Sequence, residues 1–210
     1  LYLDNTYLEP RHIFPTQQAV IDRVVEECRV LARCRKTLVL FGAYSIGKER
    51  VFVAAAEACN QRLHVSRERL ETLSCLNFPP EVVARFTSDP TAARWGVVPM
   101  DPMRCDRLRA RLREGRGRCT SGVAFAPTRW IAGRMGRAGC DLLKVSRSGA
   151  LTINEVAYSE HSSFDELRGC VRDLRPEKTI FTVGGGNHVT QGGQSAAVER
   201  ARMHHLLYRE

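Results

Sequence analysis

The stretch "TLVLFGAYSIGKERVFVAAAEAC", residues 37–59, decides the fold class. Its first five residues form an apolar, β-prone run. A glycine-containing turn follows, and "ERVFVAAAEAC" then shows helical apolar spacing. The stretch therefore predicts strand, turn and helix. Gly42, four residues, Gly47 and Lys48 nearly spell a phosphate-binding loop. Such loops use glycine-rich backbone N–H groups and a lysine to hold phosphates, and a following Ser or Thr to hold magnesium. Glu49 stands where that hydroxyl belongs and brings negative charge to the same place. A nucleotide site of this kind also needs a carboxylate at the end of a second apolar strand. The candidate, Asp4 in "LYLD", lies before the loop instead of after it. The expected role is a tight strand-to-helix turn, with nucleotide binding as a rival class.

Outward from this unit the alternation continues. "TQQAVIDRVVEECRVLARC" places Val20, Ile21, Val24, Val25, Cys28 and Leu31 at helical spacing, with Thr16 as its cap. "RLHVS", "RWGVVPM", "GVAFAP", "LTINEVAYS" and "KTIFTVGG" read as strands. "RERLETLSCL", "PEVVARF", "MRCDRLRARLREG", "SSFDELRGCVRDLR" and "SAAVERARMHHLLYRE" read as helices. This predicts an α/β fold with a mostly parallel sheet. Residues 128–150 are rich in Gly, Arg and Ser, and are expected to form a long basic loop at a domain boundary.

The 210 residues carry a formal charge of +9, much of it arginine, and 43% hydrophobic content. That composition allows a real core and suits a nucleic-acid partner or an ordinary basic surface. The eight cysteines include no C-x-x-C pair, so no zinc ribbon is expected, and free thiols are. No apolar run approaches the ~18 residues of a membrane span, so no membrane partner is expected. The chain opens inside the apolar run "LYLD", and is read as a fragment of a longer protein.

Three features could carry chemistry. In "YSEHSSFDEL", His161 sits at a strand-to-helix junction, with Ser162 and Ser163 as N-cap candidates and Asp165 and Glu166 each three residues after a serine. A helix N-terminus there suits a phosphate, which a histidine could protonate; a capped helix beside an exposed histidine is the plainer reading. Asp4 ends an apolar strand, where α/β active-site carboxylates often lie, or it simply forms a turn. Seven arginines fall between Arg104 and Arg118. On a helix, Arg104, Arg107 and Arg111 share a face, as do Arg109, Arg113 and Arg116, either to track a phosphate backbone or as a solvated surface.

"LYLDNTYLEPRHIFPTQQAVI", "LVLFGAYSIGKERVF" and "YSEHSSFDELRGCVRDLRPEKTIFTV", in this order, resemble the C-terminal half of the DNA cross-link repair nucleases. These form the metallo-β-lactamase/β-CASP group that includes Artemis and the Pso proteins. "AFAPTRW" is similar to a further family segment, with Arg129 where glycine is usual. The resemblance implies a β-CASP cassette over residues 16–150. Residues 1–15 and 151–210 would belong to a metallo-β-lactamase αββα sandwich. It implies that Glu49 belongs to the family pattern, that the 42–48 turn is structural, and that Lys48 faces nucleic acid. It implies that Asp4 and His161 match the acidic and histidine motifs, meet beside a metal centre and act in catalysis, His161 near a second metal. Thr6, Ser159 and Ser162 would lie on the substrate side, and Arg107 and Arg111 would hold the DNA strand. Val183 falls at a third motif, where valine goes with DNA and histidine with RNA.

The resemblance further implies a zinc-dependent nuclease, a 5′-to-3′ exonuclease acting in the nucleus on damaged or cross-linked DNA. Its H-x-H-x-D-H run, a further histidine and an aspartate would lie upstream, so the fragment alone is expected to be inactive. The rival classes are a non-catalytic DNA-binding relative or scaffold and a nucleotide binder.

Overall fold

In the computed structural model, residues 1–100, 105–114, 118–128, 142–183 and Leu207 are described. The strands are β1 (Tyr2–Leu3), β2 (Thr37–Ala43), β3 (Leu63–His64), β4 (Phe86–Thr87), β5 (Trp95–Pro99), β6 (Ser121–Pro127), β7 (Leu143–Ser148), β8 (Leu151–Val156) and β9 (Ile180–Phe181). The helices are α1 (Gln17–Arg33), α2 (Glu49–Ala58), α3 (Arg67–Ser74), α4 (Pro80–Val83), α5 (Cys105–Glu114) and α6 (Phe164–Leu174).

Helix α1 forms as its spacing predicts. Thr16 accepts a hydrogen bond from the Ala19 N–H at 3.2 Å, and Val20, Ile21, Val24, Val25 and Cys28 are buried along one stripe. Strand β2 is buried along nearly its whole length, as a central parallel strand must be. It lies inside a seven-stranded sheet of order β4-β3-β5-β2-β6-β8-β7. All neighbours in that sheet are parallel except β7 and β8, which form an antiparallel hairpin. The α/β expectation holds.

Alternation along β2 sends its side chains to opposite faces. Val39 and Phe41 pack with Val20, Val24 and Phe52 of α1 and α2. Leu40 packs with Val98, Leu108, Ala124 and Leu151 in a second cluster that includes α5. A separate parallel pair, β1 with β9, joins the two ends of the described chain. It sits in its own apolar cluster with Leu8, Phe164, Leu167, Val171 and Leu207.

The structure corrects one expectation. Residues 128–150 are not one loop, because Leu143–Ser148 forms β7; residues 129–141 lie outside the described residues. The boundary expected at Ala150 falls in the turn of the β7–β8 hairpin, and the large sheet runs on to Val156. Cutting there would strip β8 from its partner β6. The strand read in "KTIFTVGG" shortens to Ile180–Phe181, and the last helix expected, beyond Ser195, lies outside the described residues except for Leu207.

Candidate active site

Asp4 leaves the end of β1 with both carboxylate oxygens engaged. Oδ1 accepts from the Thr6 N–H at 2.8 Å and from the Thr6 hydroxyl at 2.5 Å. Oδ2 faces His161 Nδ1 at 2.9 Å. Partial burial raises the Asp4 carboxyl, but the Thr6 hydroxyl and N–H, together with His161, outweigh it and hold the group below its ordinary value. An ionised carboxylate only accepts, so Nδ1 carries the proton and donates. The ring is thereby oriented, and Nε2 is the nitrogen left to act. Both side chains are about half exposed, at 45% for His161 and 48% for Asp4.

The next residue ties in a third stretch. Asn5 is buried, and its side-chain oxygen accepts the Val183 N–H at 2.9 Å. The Thr182 N–H donates to the Leu3 carbonyl at 3.0 Å. Asp4, His161 and Val183, distant in sequence, thus converge where β1 and β9 end. The edge of the Tyr7 ring meets the His161 ring at 5.7 Å between centroids.

The loop after β8 holds His161 by its backbone. Ser159 is buried; its hydroxyl donates to the His161 carbonyl at 2.9 Å and accepts the His161 N–H at 3.0 Å. Ser159, expected to touch substrate, instead spends its hydroxyl on that backbone. Ser162 is exposed and shares a 70 Å³ cleft with Ser159, Glu160, His161 and Glu166. Of the two cap candidates, Ser163 is the cap of α6, in a capping box with Glu166. The N–H groups of Ser163, Phe164 and Glu166 go to the Glu166 carboxylate, the His12 carbonyl and the Ser163 hydroxyl. This helix end is closed on itself instead of open to a phosphate. Ser163→Ala is expected to cost about 1 kcal/mol of folding stability, read from chemical denaturation.

The phosphate-loop likeness fails for a physical reason. The Gly47 N–H donates to both Glu49 carboxylate oxygens, at 2.9 and 2.8 Å, and the Lys48 N–H donates to Glu160 Oε1 at 2.9 Å. The groups that would cradle a phosphate already hold carboxylates. Lys48, expected to face nucleic acid, has a side chain only 9% exposed, with Nζ 4.0 Å from Glu160 Oε1 and 5.0 Å from the Tyr158 ring centre. Burial lowers its pKa, against the pull of Glu160 and Glu49.

The arginine helix forms as α5, but it is not part of the His161 cleft. Arg111 is exposed and lines a separate 530 Å³ cleft with Tyr44, Ser45, His64, Ser66 and Arg69. Arg109 donates to the Ser148 hydroxyl at 2.6 Å, and Arg118 to the Thr91 carbonyl at 2.7 Å. Arg104, Arg116 and the side chain of Arg107 lie outside the described residues.

The sequence profile of one family, described as DNA repair metallo-beta-lactamase, matches residues 80–187, just over half of the 210-residue chain. This chain belongs to the DNA repair metallo-beta-lactamase family. The DNA cross-link repair protein SNM1 of Arabidopsis thaliana is 38% identical over 192 residues, covering 91% of this chain and 40% of that protein. The human DNA cross-link repair 1A protein is 35% identical over 187 residues, covering 89% and 18% respectively. The zebrafish (Danio rerio) 5′ exonuclease Apollo is 30% identical over 184 residues, covering 88% and 28%. The chain thus spans well under half the length of these curated relatives.

A DNA repair metallo-beta-lactamase domain implies a metal cofactor. Among the described residues no group of three or more His, Cys, Asp or Glu side chains could hold an ion. A zinc site takes about three or four protein donors. Asp4 and His161 offer only a pair, with Nδ1 already committed to the carboxylate, so they do not make a metal centre by themselves. Sequence reasoning in this family member missed Asn5, Glu160 and Gln17, whose amide donates to the Ser159 carbonyl at 2.8 Å. The adjacency of Glu160 to His161 and of Asn5 to Asp4 was the signal available for two of them.

Proposed function

We propose that the full-length protein carrying this chain is a zinc-dependent nuclease that hydrolyses DNA phosphodiester bonds from 5′ ends, in the nucleus, during repair of cross-linked or broken DNA. The observation that carries this reading is the 2.9 Å contact between His161 Nδ1 and Asp4 Oδ2. It spans 157 positions of sequence and leaves a half-exposed imidazole with one free nitrogen. With Nδ1–H given to Asp4, it is the imidazolium form, protonated at both nitrogens, that can hold a phosphate oxygen through Nε2–H or give that proton to a departing oxygen. Thr6 keeps the carboxylate ionised and in place. Zinc is the metal proposed, with a ligand set that the described residues do not compose. The resemblance, in which valine at the position of Val183 goes with DNA, supports DNA over RNA as the substrate.

The large sheet with α1 to α5 is assigned here to the β-CASP cassette, with its seam after Val156. The strands β1 and β9 with α6 are assigned to the metallo-β-lactamase part. Among the described residues no helix is long and apolar enough to cross a membrane.

The test is digestion of 5′-phosphorylated, 3′-labelled DNA by the full-length protein. Progressive loss of nucleotides from the 5′ end, abolished by chelation, is expected. Binding without hydrolysis in the presence of zinc would point to a non-catalytic relative, a reading that the net charge of +9 also suits. Replacing Arg107 and Arg111 together by alanine is expected to weaken binding to duplex DNA. The slope of log affinity against log salt should also fall by about 1.8, as two lost phosphate contacts require. An unchanged slope would remove α5 from the DNA path.

A further inference from the structure

We propose that the turn of residues 47–50 is a positioning device for His161, with Glu160 as the residue it grips. Gly47 and Lys48 both take positive φ, 104° and 73°. Successive N–H groups in such a turn form a concavity that favours an anion. The anion here is internal. Glu49 closes over the Gly47 N–H, and Glu160 accepts the Lys48 N–H at 2.9 Å. Glu160 immediately precedes His161.

A second tie runs in parallel. Arg50 donates to the Gln17 side-chain oxygen, and the Gln17 amide donates to the Ser159 carbonyl at 2.8 Å. Ser159 in turn holds the His161 N–H and carbonyl through its hydroxyl. Residues 159–161 are therefore held from the first turns of α1 and α2, while Asp4 grips the imidazole from the other side. The backbone of His161 is held from the large-sheet side, by the starts of α1 and α2, and the partner of its ring comes from the end of β1. A shift of about 1 Å between them is enough to cost a large factor in rate.

The backbone hydrogen bond carries this link more than the charge does. The Lys48 to Glu160 ion pair is long, at 4.0 Å, and Glu160 is 43% exposed, so its Coulombic share is small. The conservative and the truncating variants of Glu160 should therefore separate. Glu160→Gln keeps an oxygen for the Lys48 N–H. Glu160→Ala removes it.

The test uses the full-length protein and two readouts. One is the rate of His161 carbethoxylation, mapped by peptide mass spectrometry. The other is kcat and KM on 5′-phosphorylated DNA, and only this arm rests on the nuclease reading. Glu160→Ala is expected to speed His161 modification severalfold and to lower kcat by about tenfold at nearly unchanged KM. Glu160→Gln should restore both, with thermal melting checking that each variant is folded. A His161 modification rate in Glu160→Ala equal to that of the unmodified protein overturns the proposal. So does a Glu160→Gln variant as impaired as Glu160→Ala. If the unmodified protein cleaves no DNA, the nuclease reading fails, and the modification rates still decide the positioning role.

Discussion

Asp4→Ala in the full-length protein is expected to lower turnover on DNA by about 10²–10⁴-fold, the range of a lost general acid–base contribution. Thermal melting should change little, because Asp4 is half exposed and its partners, Thr6 and His161, can turn to water. His161→Ala should cost a similar factor. The double variant should be no worse than the poorer single one, because groups that act as a unit do not add. Steady-state kinetics beside melting curves checks this. Near-native turnover in both single variants would remove the pair from the mechanism.

The second large effect concerns stability. Phe41 is fully buried on β2, stacked on Phe125 at 5.3 Å and tilted against Trp95 at 6.0 Å. It thereby links the central strand to β5 and β6, its neighbours on either side. Phe41→Ala removes those contacts and leaves a void that a close-packed sheet face cannot fully close. The expected loss is about 3–5 kcal/mol, a large share of a typical total of about 5–15 kcal/mol. The denaturant midpoint should fall with little change in slope. A loss under about 1 kcal/mol would mean that the core collapses around the gap.

The elements legible in the sequence were those whose burial is periodic. The α1 stripe and the β2-turn-α2 unit are examples, since one face or the whole strand is apolar. Strand β7 was not legible. Its sequence, "LKVSRS", buries only Leu143, and among the described residues it pairs on one side only, at the edge of the sheet. Hydropathy has nothing to register there, and the hairpin with β8 supplies the structure. The pairing of Asp4 with His161 could not be read from spacing; it was available only through resemblance.

Lys48, Ser159 and the α6 N-terminus share a feature that the sequence did not disclose. Each looked like a group waiting for a phosphate, and each is occupied by the protein's own atoms. A carboxylate 112 residues away, such as Glu160 opposite Lys48, leaves no local trace in the sequence.

The pairing of β1 with β9 bears on when this site comes into being. Leu3 and Phe181 lie side by side, with the whole seven-stranded sheet strung between them in the chain. Joining two such short strands across so long a segment is entropically unfavourable until the intervening chain has collapsed. The acid and the imidazole therefore meet late in folding, after the large sheet is built. A partly folded or truncated chain lacks the Asp4–His161 contact, so the activity proposed for it would wait on the completed fold.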